Sequence, residues 1–195
     1  MTGQLIVRNS SPVDKKHLRL VFKFKTGKYL LFYDLRKFGR VYHVTQPDTV
    51  LKNTGIDALS KEFDLSYFRK LVKGKTTSVK SFLLDQKKIA GFGNIYVDES
   101  LFNAKIHPET KLSNISSKKI DNLFYESRKV LLKAIDRMGS TISDYKTTGG
   151  GFGSNQNYLK VYQRQGLPCF ECRTTIAKLK VSGRGTHFCP KCQKK

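Results

Sequence analysis

Cys169-Phe170-Glu171-Cys172 and Cys189-Pro190-Lys191-Cys192 decide the last quarter of the fold. Sixteen residues, Arg173 to Phe188, separate the two pairs, which hold all four cysteines of the 195-residue chain. Two C-x-x-C pairs at this separation fall in the range of a zinc site. Zn²⁺ takes four soft ligands in a tetrahedron, and each C-x-x-C turn brings two thiolates to one side of it. Two such turns at the ends of a hairpin leave no open position. The expectation is one structural zinc on Cys169, Cys172, Cys189 and Cys192. Two disulfides are the alternative, but no further cysteine completes a secreted framework and the opening residues carry no signal-peptide pattern.

Outside that segment the charge stands out: 37 Lys and Arg against 15 Asp and Glu give a formal +22. Such an excess concentrates polyanions near the surface and makes their binding steeply salt-dependent. Nucleic acid is the first candidate partner, ahead of an anionic membrane or a ribosome surface, and charge does not choose between DNA and RNA. No apolar run is long enough to span a bilayer. The composition therefore points to a soluble intracellular protein of one large or two small domains.

Taken in order, Gln4 to Arg8 reads as a short strand and Ser10-Ser11-Pro12 as a turn. Leu18, Leu20, Phe22 and Phe24 alternate with Arg19 and Lys23, the pattern of a half-buried strand. Tyr29 to Tyr33 reads as the next strand, and Arg40 to Val44 as another. Together these make a small antiparallel β unit over 1–47, which opens at Met1 with no partner to complete a two-layer core, so a missing upstream segment is expected. Gln46 to Gly55 turns polar and marks a boundary. From there to Gly139 the pattern is helical: Leu59 to Val72, Thr77 to Gln86, Asn94 to Ala104 and Ser116 to Met138. The last carries Ile120, Leu123, Phe124, Leu131, Ala134, Ile135 and Met138 as a core stripe, with Ser116 to start it and Gly139 to end it. Residues 140–157 are rich in Gly, Ser, Thr and Asn, and read as a long mobile loop or a linker. Tyr158 to Tyr162 resumes as a strand.

Gly91-Phe-Gly-Asn-Ile-Tyr-Val-Asp-Glu-Ser-Leu-Phe102 resembles the helix–two-turns–helix signature of the formamidopyrimidine-DNA glycosylase (Fpg/Nei) family. Three further stretches resemble the family's motifs in its order: Asp34-Leu-Arg-Lys-Phe-Gly39 the void-filling loop, Gly139 to Tyr145 with the glycine run the damaged-base capping loop, and Val161 to Gln193 the zinc finger. The resemblance implies an α+β fold: a remnant of an antiparallel β-sandwich, a helix–two-turns–helix domain over 56–157 with its capping loop near 140–157, and a C-terminal β-hairpin zinc finger over 158–195. It implies a monomer in the bacterial cytoplasm, nucleoid-associated, binding damaged double-stranded DNA. Lys80, Asn94 and Arg184 would meet on the phosphates at the lesion; Arg36 would pair with the orphaned base, with Phe38 and Met1 filling the void. On the residues themselves alternatives stay open: Asn94 as a helix N-cap, Phe38 as a sheet core residue, Arg36 as a solvated charge. His17, His43 and His107 receive no role, and His187 at most a contact behind the zinc ligands.

The resemblance also implies what this stretch lacks. The family's nucleophile is the secondary amine of an N-terminal proline, with a glutamate beside it as general acid, and an amine attacks only when free and deprotonated. Met1-Thr2-Gly3 matches the family inside its first domain, and Pro108-Glu109 is internal, so its proline nitrogen is an amide. No residue here is assigned a catalytic role. Either the chain is part of a base-excision glycosylase with AP-lyase activity, or it binds damaged or abasic DNA without catalysis. A basic zinc-ribbon protein for RNA is a third possibility.

Overall fold

The computed structural model describes residues 3–12 and 14–195. Two units make up the chain: residues up to Gln46 with Lys133–Tyr158, and Pro47–Leu132 with Leu159–Lys195.

In the first unit β1 (Gly3–Arg8), β2 (Leu18–Lys23) and β3 (Tyr29–Asp34) form an antiparallel sheet of order β1-β3-β2. Leu5 and Leu20 both lie opposite Phe32, and Val7 and Phe22 both lie opposite Leu30. Side chains alternate across a strand, so these six apolar residues share one face, while Ile6 and Leu31, 4% and 2% exposed, lie on the other. The first face is not covered: Leu5, Val7, Leu20 and Phe22 are 38–48% exposed, and Phe24 follows at 46%. The expected burial of the Leu18–Phe24 alternation is therefore not met among the described residues. Arg40 to Val44 is not a strand either. It pairs with no strand among the described residues, and Val41, Tyr42 and Val44 lie exposed.

The glycine-rich segment is laced to itself and to β1. The Val7 amide donates to the Thr148 carbonyl at 2.8 Å, and the Gln4 side-chain amide to the Asp144 carbonyl at 2.5 Å. Thr141 accepts from the Gly153 amide and donates its own amide to Gln156. A β-carbon on Gly153 would lie 2.1 Å from the Gly139 carbonyl oxygen, so the crossing of these two segments requires glycine. A cavity of about 500 Å³ opens between sheet and loop, lined among others by Gln4, Ile6, Arg8, Tyr33, Asp144 and Gly150.

The second unit begins with α1 (Asp48–Leu51), a single turn inside the stretch read from sequence as a polar boundary. The parallel bridge of β4 (Ile56–Asp57) with β5 (Ile89–Ala90) departs from the all-helical pattern of this region. Between and after them run α2 (Leu65–Val72), α3 (Val79–Leu84), α4 (Asn94–Asn103) and α5 (Ser117–Asp136), the last residues of which, from Lys133, fall in the first unit. Asp64 caps α2 by accepting the Tyr67 amide at 2.7 Å, so that helix starts later than Leu59. Phe63, Phe68 and Phe124 stack at centroid distances of 5.5–5.9 Å at the centre of the core. Arg128 holds the chain ahead of α2 by donating to the carbonyls of Ala58 (2.8 Å), Phe63 (3.1 Å) and Ser60 (3.4 Å).

The core stripe of α5 holds for Ile120, Leu123, Phe124, Leu131 and Ala134, but Ile135 and Met138 are each 59% exposed. Ile135 still lies in α5 and Met138 just beyond its end. The Gly139 amide reaches back to the Ala134 carbonyl and the Met138 amide to Ile135, the two bonds of a Schellman cap. Met138 itself takes the left-handed position, at φ 59°, one residue ahead of the glycine expected to end the helix. Tyr158 to Tyr162 is no strand: Asn155–Tyr158 is a 3-10 turn, and the amides that follow go to a side chain of α4. The C-terminal hairpin is present as β6 (Ala177–Val181) and β7 (Arg184–Phe188). The fold is α+β, with small antiparallel sheets, a helical body and a terminal cysteine-bearing hairpin.

Candidate nucleic-acid interface

The cysteines fold as their spacing requires. All four ligand sulfurs lie within 4.8 Å of one another, and the four thiols form no disulfide. Cys172 and Cys189 stand 3.4 Å apart and Cys169 and Cys192 4.0 Å. A tetrahedron with Zn–S bonds of ~2.3 Å has S···S edges of about 3.8 Å, which these distances bracket. A hydrogen bond from Thr174 lowers the Cys172 thiol to about 6, whereas burial raises Cys189 and Cys192. The donor set fits one structural zinc with no open position.

Between the pairs, β6 and β7 are joined by Ser182 and Gly183, both at positive φ (48° and 75°), a two-residue turn of the type that matches strand twist. Arg184 opens the returning strand, exposed, with no side-chain hydrogen bond or ion pair among the described residues. The tip is tied to α3 through the hydroxyls of Ser182 and Ser81.

Helix α4 starts on Gly91-Phe92-Gly93. Gly91 takes φ 101°, which only glycine adopts without strain, and Phe92 is buried. Gln86 laces the turn, accepting from the Gly91 amide at 3.1 Å and donating to the Phe92 carbonyl at 2.7 Å. The N-cap is Gly93, without a side-chain bond, so Asn94 is the first helical residue and not the cap. Its amide donates to the Gly185 carbonyl at 2.8 Å, while its Oδ1 is buried with no partner among the described residues. The first-turn amides carry the positive end of the helix dipole, a setting that favours phosphate.

Lys80 is not where a phosphate contact would have it. It is 0% exposed, its ammonium 2.5 Å from Asp98 Oδ1 and 3.4 Å from the Gly185 carbonyl. Lys80 and Asn94 thus meet on one carbonyl, that of the residue after Arg184. Asp98 spends its other oxygen on the His187 amide at 2.8 Å, with His187 Nδ1 at 3.4 Å. His187 accordingly faces Asp98, not the thiolates. Glu99 accepts the amides of Lys160, Val161 and Tyr162 at 2.8–2.9 Å. Burial raises its carboxyl above the ordinary value, against those three donors. Phe102 completes the attachment, packed with Val161, Cys169, Ile176 and Cys189. Sequence reasoning passed over Asp98 and Glu99, although two acids inside an apolar helix, in a chain with 15 acidic residues, were a usable signal.

In the first unit, Asp34 shapes the loop after β3. It is 2% exposed and accepts the amides of Gly39 at 2.7 Å and Arg36 at 3.2 Å. Lys37 is left-handed at φ 60°, and Phe38 stands 72% exposed, so it is not a sheet core residue. The Arg36 guanidinium lies over the Phe38 ring at 4.5 Å. Met1 lies outside the described residues.

Similarity to known proteins centres on these same regions. Residues 54–146 match the model of the formamidopyrimidine-DNA glycosylase H2TH domain, and residues 166–195 that of the zinc finger found in FPG and IleRS. A formamidopyrimidine-DNA glycosylase of Streptococcus pyogenes is 39% identical over 199 residues, covering 100% of this chain and 72% of the relative. Another, from Rippkaea orientalis, is 41% identical over 99% of this chain and 71% of its own length. The solved complex of Lactococcus lactis Fpg with DNA containing an abasic site is similar at TM-score 0.88 and 39% identity, covering 100% of this chain and 73% of that one. The MutM (FPG) protein of Thermus thermophilus is similar at TM-score 0.89 and 36% identity, over the same shares.

Proposed function

The chain belongs to the formamidopyrimidine-DNA glycosylase family, and from that premise we propose that it grips double-stranded DNA, as a monomer, at an oxidised or abasic nucleotide. The observation that carries this is that Asn94, the first residue of α4, donates to the Gly185 carbonyl and so ties the helix N-terminus to the residue next to the exposed Arg184. Backbone amides and a free guanidinium suit phosphate oxygens. The solved relatives include complexes with Fapy-dG, 8-oxo-G and abasic-site DNA. Phe38 acts as the wedge at the vacated stack and Arg36 as the partner of the orphaned base. Their support is an exposed ring stacked against a cation on a loop that Asp34 stiffens, and unstacking a base costs a few kcal/mol that such side chains return. The 140–153 loop closes over the extruded base. The cavity of about 500 Å³ beneath it has the size of a small-ligand pocket.

Excision and strand cleavage need an amine nucleophile, which in this reading lies on polypeptide that these residues do not include. The uncovered apolar face of β1-β3-β2 supports it, because such a face asks for a second layer. Two experiments test the proposal. The first compares binding to a duplex with a tetrahydrofuran abasic site and to the intact duplex across a salt series. Preference for the abasic duplex, with log K falling by about 0.9 per phosphate per log salt, is expected. Equal affinity for both refutes it. The second fuses the first quarter of the Streptococcus pyogenes relative ahead of Met1 and looks for borohydride trapping on 8-oxoguanine DNA. A fusion that folds and binds yet traps nothing leaves a non-catalytic binder.

A further inference from the structure

We infer that Asp98 is a positioning residue: a buried carboxylate that, with Lys80 as its counterion, sets strand β7 so that Arg184 is pre-aimed at DNA. This rests on the proposed role of Arg184 and goes further, because neither Asp98 nor Lys80 touches solvent. The Asp98 side chain is 0% exposed, as is that of Lys80. One oxygen of Asp98 takes the Lys80 ammonium at 2.5 Å and the other takes the backbone amide of His187 at 2.8 Å. Lys80 reaches on to the Gly185 carbonyl at 3.4 Å, where Asn94, one turn above Asp98 on α4, donates at 2.8 Å. The two residues hold β7 at both Gly185 and His187, beside Arg184.

Energetics favour a geometric role over a stabilising one. A buried ion pair returns little net stability, and an apolar pair of equal volume commonly does as well or better. Burial pulls the Lys80 ammonium below its ordinary value in spite of Asp98, and the Arg184 charge pulls the same way. A fold seeking stability alone would be better served by hydrocarbon at these positions. What the pair supplies that hydrocarbon cannot is directed bonds to an amide and a carbonyl of the Arg184 strand.

The test is a thermodynamic cycle on the full chain: wild type, Arg184→Ala, the apolar pair Lys80→Met/Asp98→Leu, and the triple variant. Zinc content and thermal melts verify each fold, and binding to abasic duplex is read across a salt series. The expected result is an apolar pair with one zinc per chain that binds ten- to a hundredfold more weakly, the range for one lost charge-assisted contact of about 1.5–3 kcal/mol. Its salt slope should be shallower by about 0.9. Arg184→Ala should then cost less than about twofold further, because the guanidinium is already misplaced. Should the apolar pair fail to fold, Asp98→Asn takes its place in the same cycle. The inference is overturned if the pair binds like wild type, or if Arg184→Ala costs as much in that background as in wild type. No cost of Arg184→Ala in wild type would sink the phosphate-grip proposal with it. A full cost that stays additive sinks only the role of Asp98.

Discussion

Replacing Cys172 by Ser removes one thiolate from a cluster whose sulfurs stand 3.4 and 4.0 Å apart across the pairs. The consequence follows from weighing the metal against the apolar packing at the base of the hairpin. Beside the cysteines, its buried cluster consists of Phe102, Val161 and Ile176. At about 1.5–3 kcal/mol for each fully buried side chain, these three contribute roughly 5–9 kcal/mol. A structural zinc carries about 10–16 kcal/mol of apparent binding free energy in isolated modules. The metal outweighs the apolar packing. Cys172→Ser should bring zinc from one per chain to near zero. Amide protection should vanish from Ala177–Phe188 while α2 to α5 keep theirs, and DNA affinity should fall at least as far as in Arg184→Ala. Metal released into a colorimetric chelator and hydrogen exchange followed by mass spectrometry read both effects. A serine variant with one zinc per chain and a protected hairpin would refute the ligand assignment.

Three further outcomes are expected. Phe38 is 72% exposed, so Phe38→Ala should leave stability within about 0.5 kcal/mol. It should nevertheless erode the preference for abasic over intact duplex, since stacking is worth about 1–3 kcal/mol; competition binding with both duplexes shows this, and an unchanged ratio counts against the wedge. Arg128→Met gives up four bonds to carbonyls ahead of α2 and should cost about 2–4 kcal/mol, read by urea unfolding at constant zinc. For Glu99 the folded carboxyl sits above its ordinary 4.5 because of burial. Its stabilising share is therefore present below that value and lost as pH rises through the raised one. Glutamine does not titrate, so between about pH 4 and pH 7 paired urea melts should shift in favour of Glu99→Gln relative to wild type; a constant difference means the carboxyl is not raised.

The sequence made legible whatever depends on local spacing. The C-x-x-C pairs, the glycine turn before Asn94 and the α5 stripe as far as Ala134 all stand where their patterns put them. What stayed hidden depends on partners distant in sequence. Lys80 looked like one cation among 37 Lys and Arg, and nothing local announces that Asp98, 18 residues later, buries it. Arg40 to Val44 has strand residues, but strand formation needs a partner, and among the described residues it pairs with none. Met138 continues the helical period after α5 has ended at Asp136, a choice made by two cap bonds and not by hydrophobicity, whereas Ile135 is helical and exposed. Asp34 belongs to a recognisable motif, yet its burial beneath the loop depends on Gly39 folding back onto it.

The hairpin is fastened at three separate places: its tip by Ser81, its middle by Asp98, and its base by Phe102 and the metal cluster. Attachment at tip, middle and base leaves the hairpin little freedom to move apart from α3 and α4. If the hairpin meets duplex DNA as proposed, any adjustment falls on the nucleic acid, whose smooth bending costs about 1–6 kcal/mol. DNA softened by a missing base needs less of that work than a stiff A-tract. On the proposed grip, a hairpin held in this way would favour DNA that already yields at a missing base.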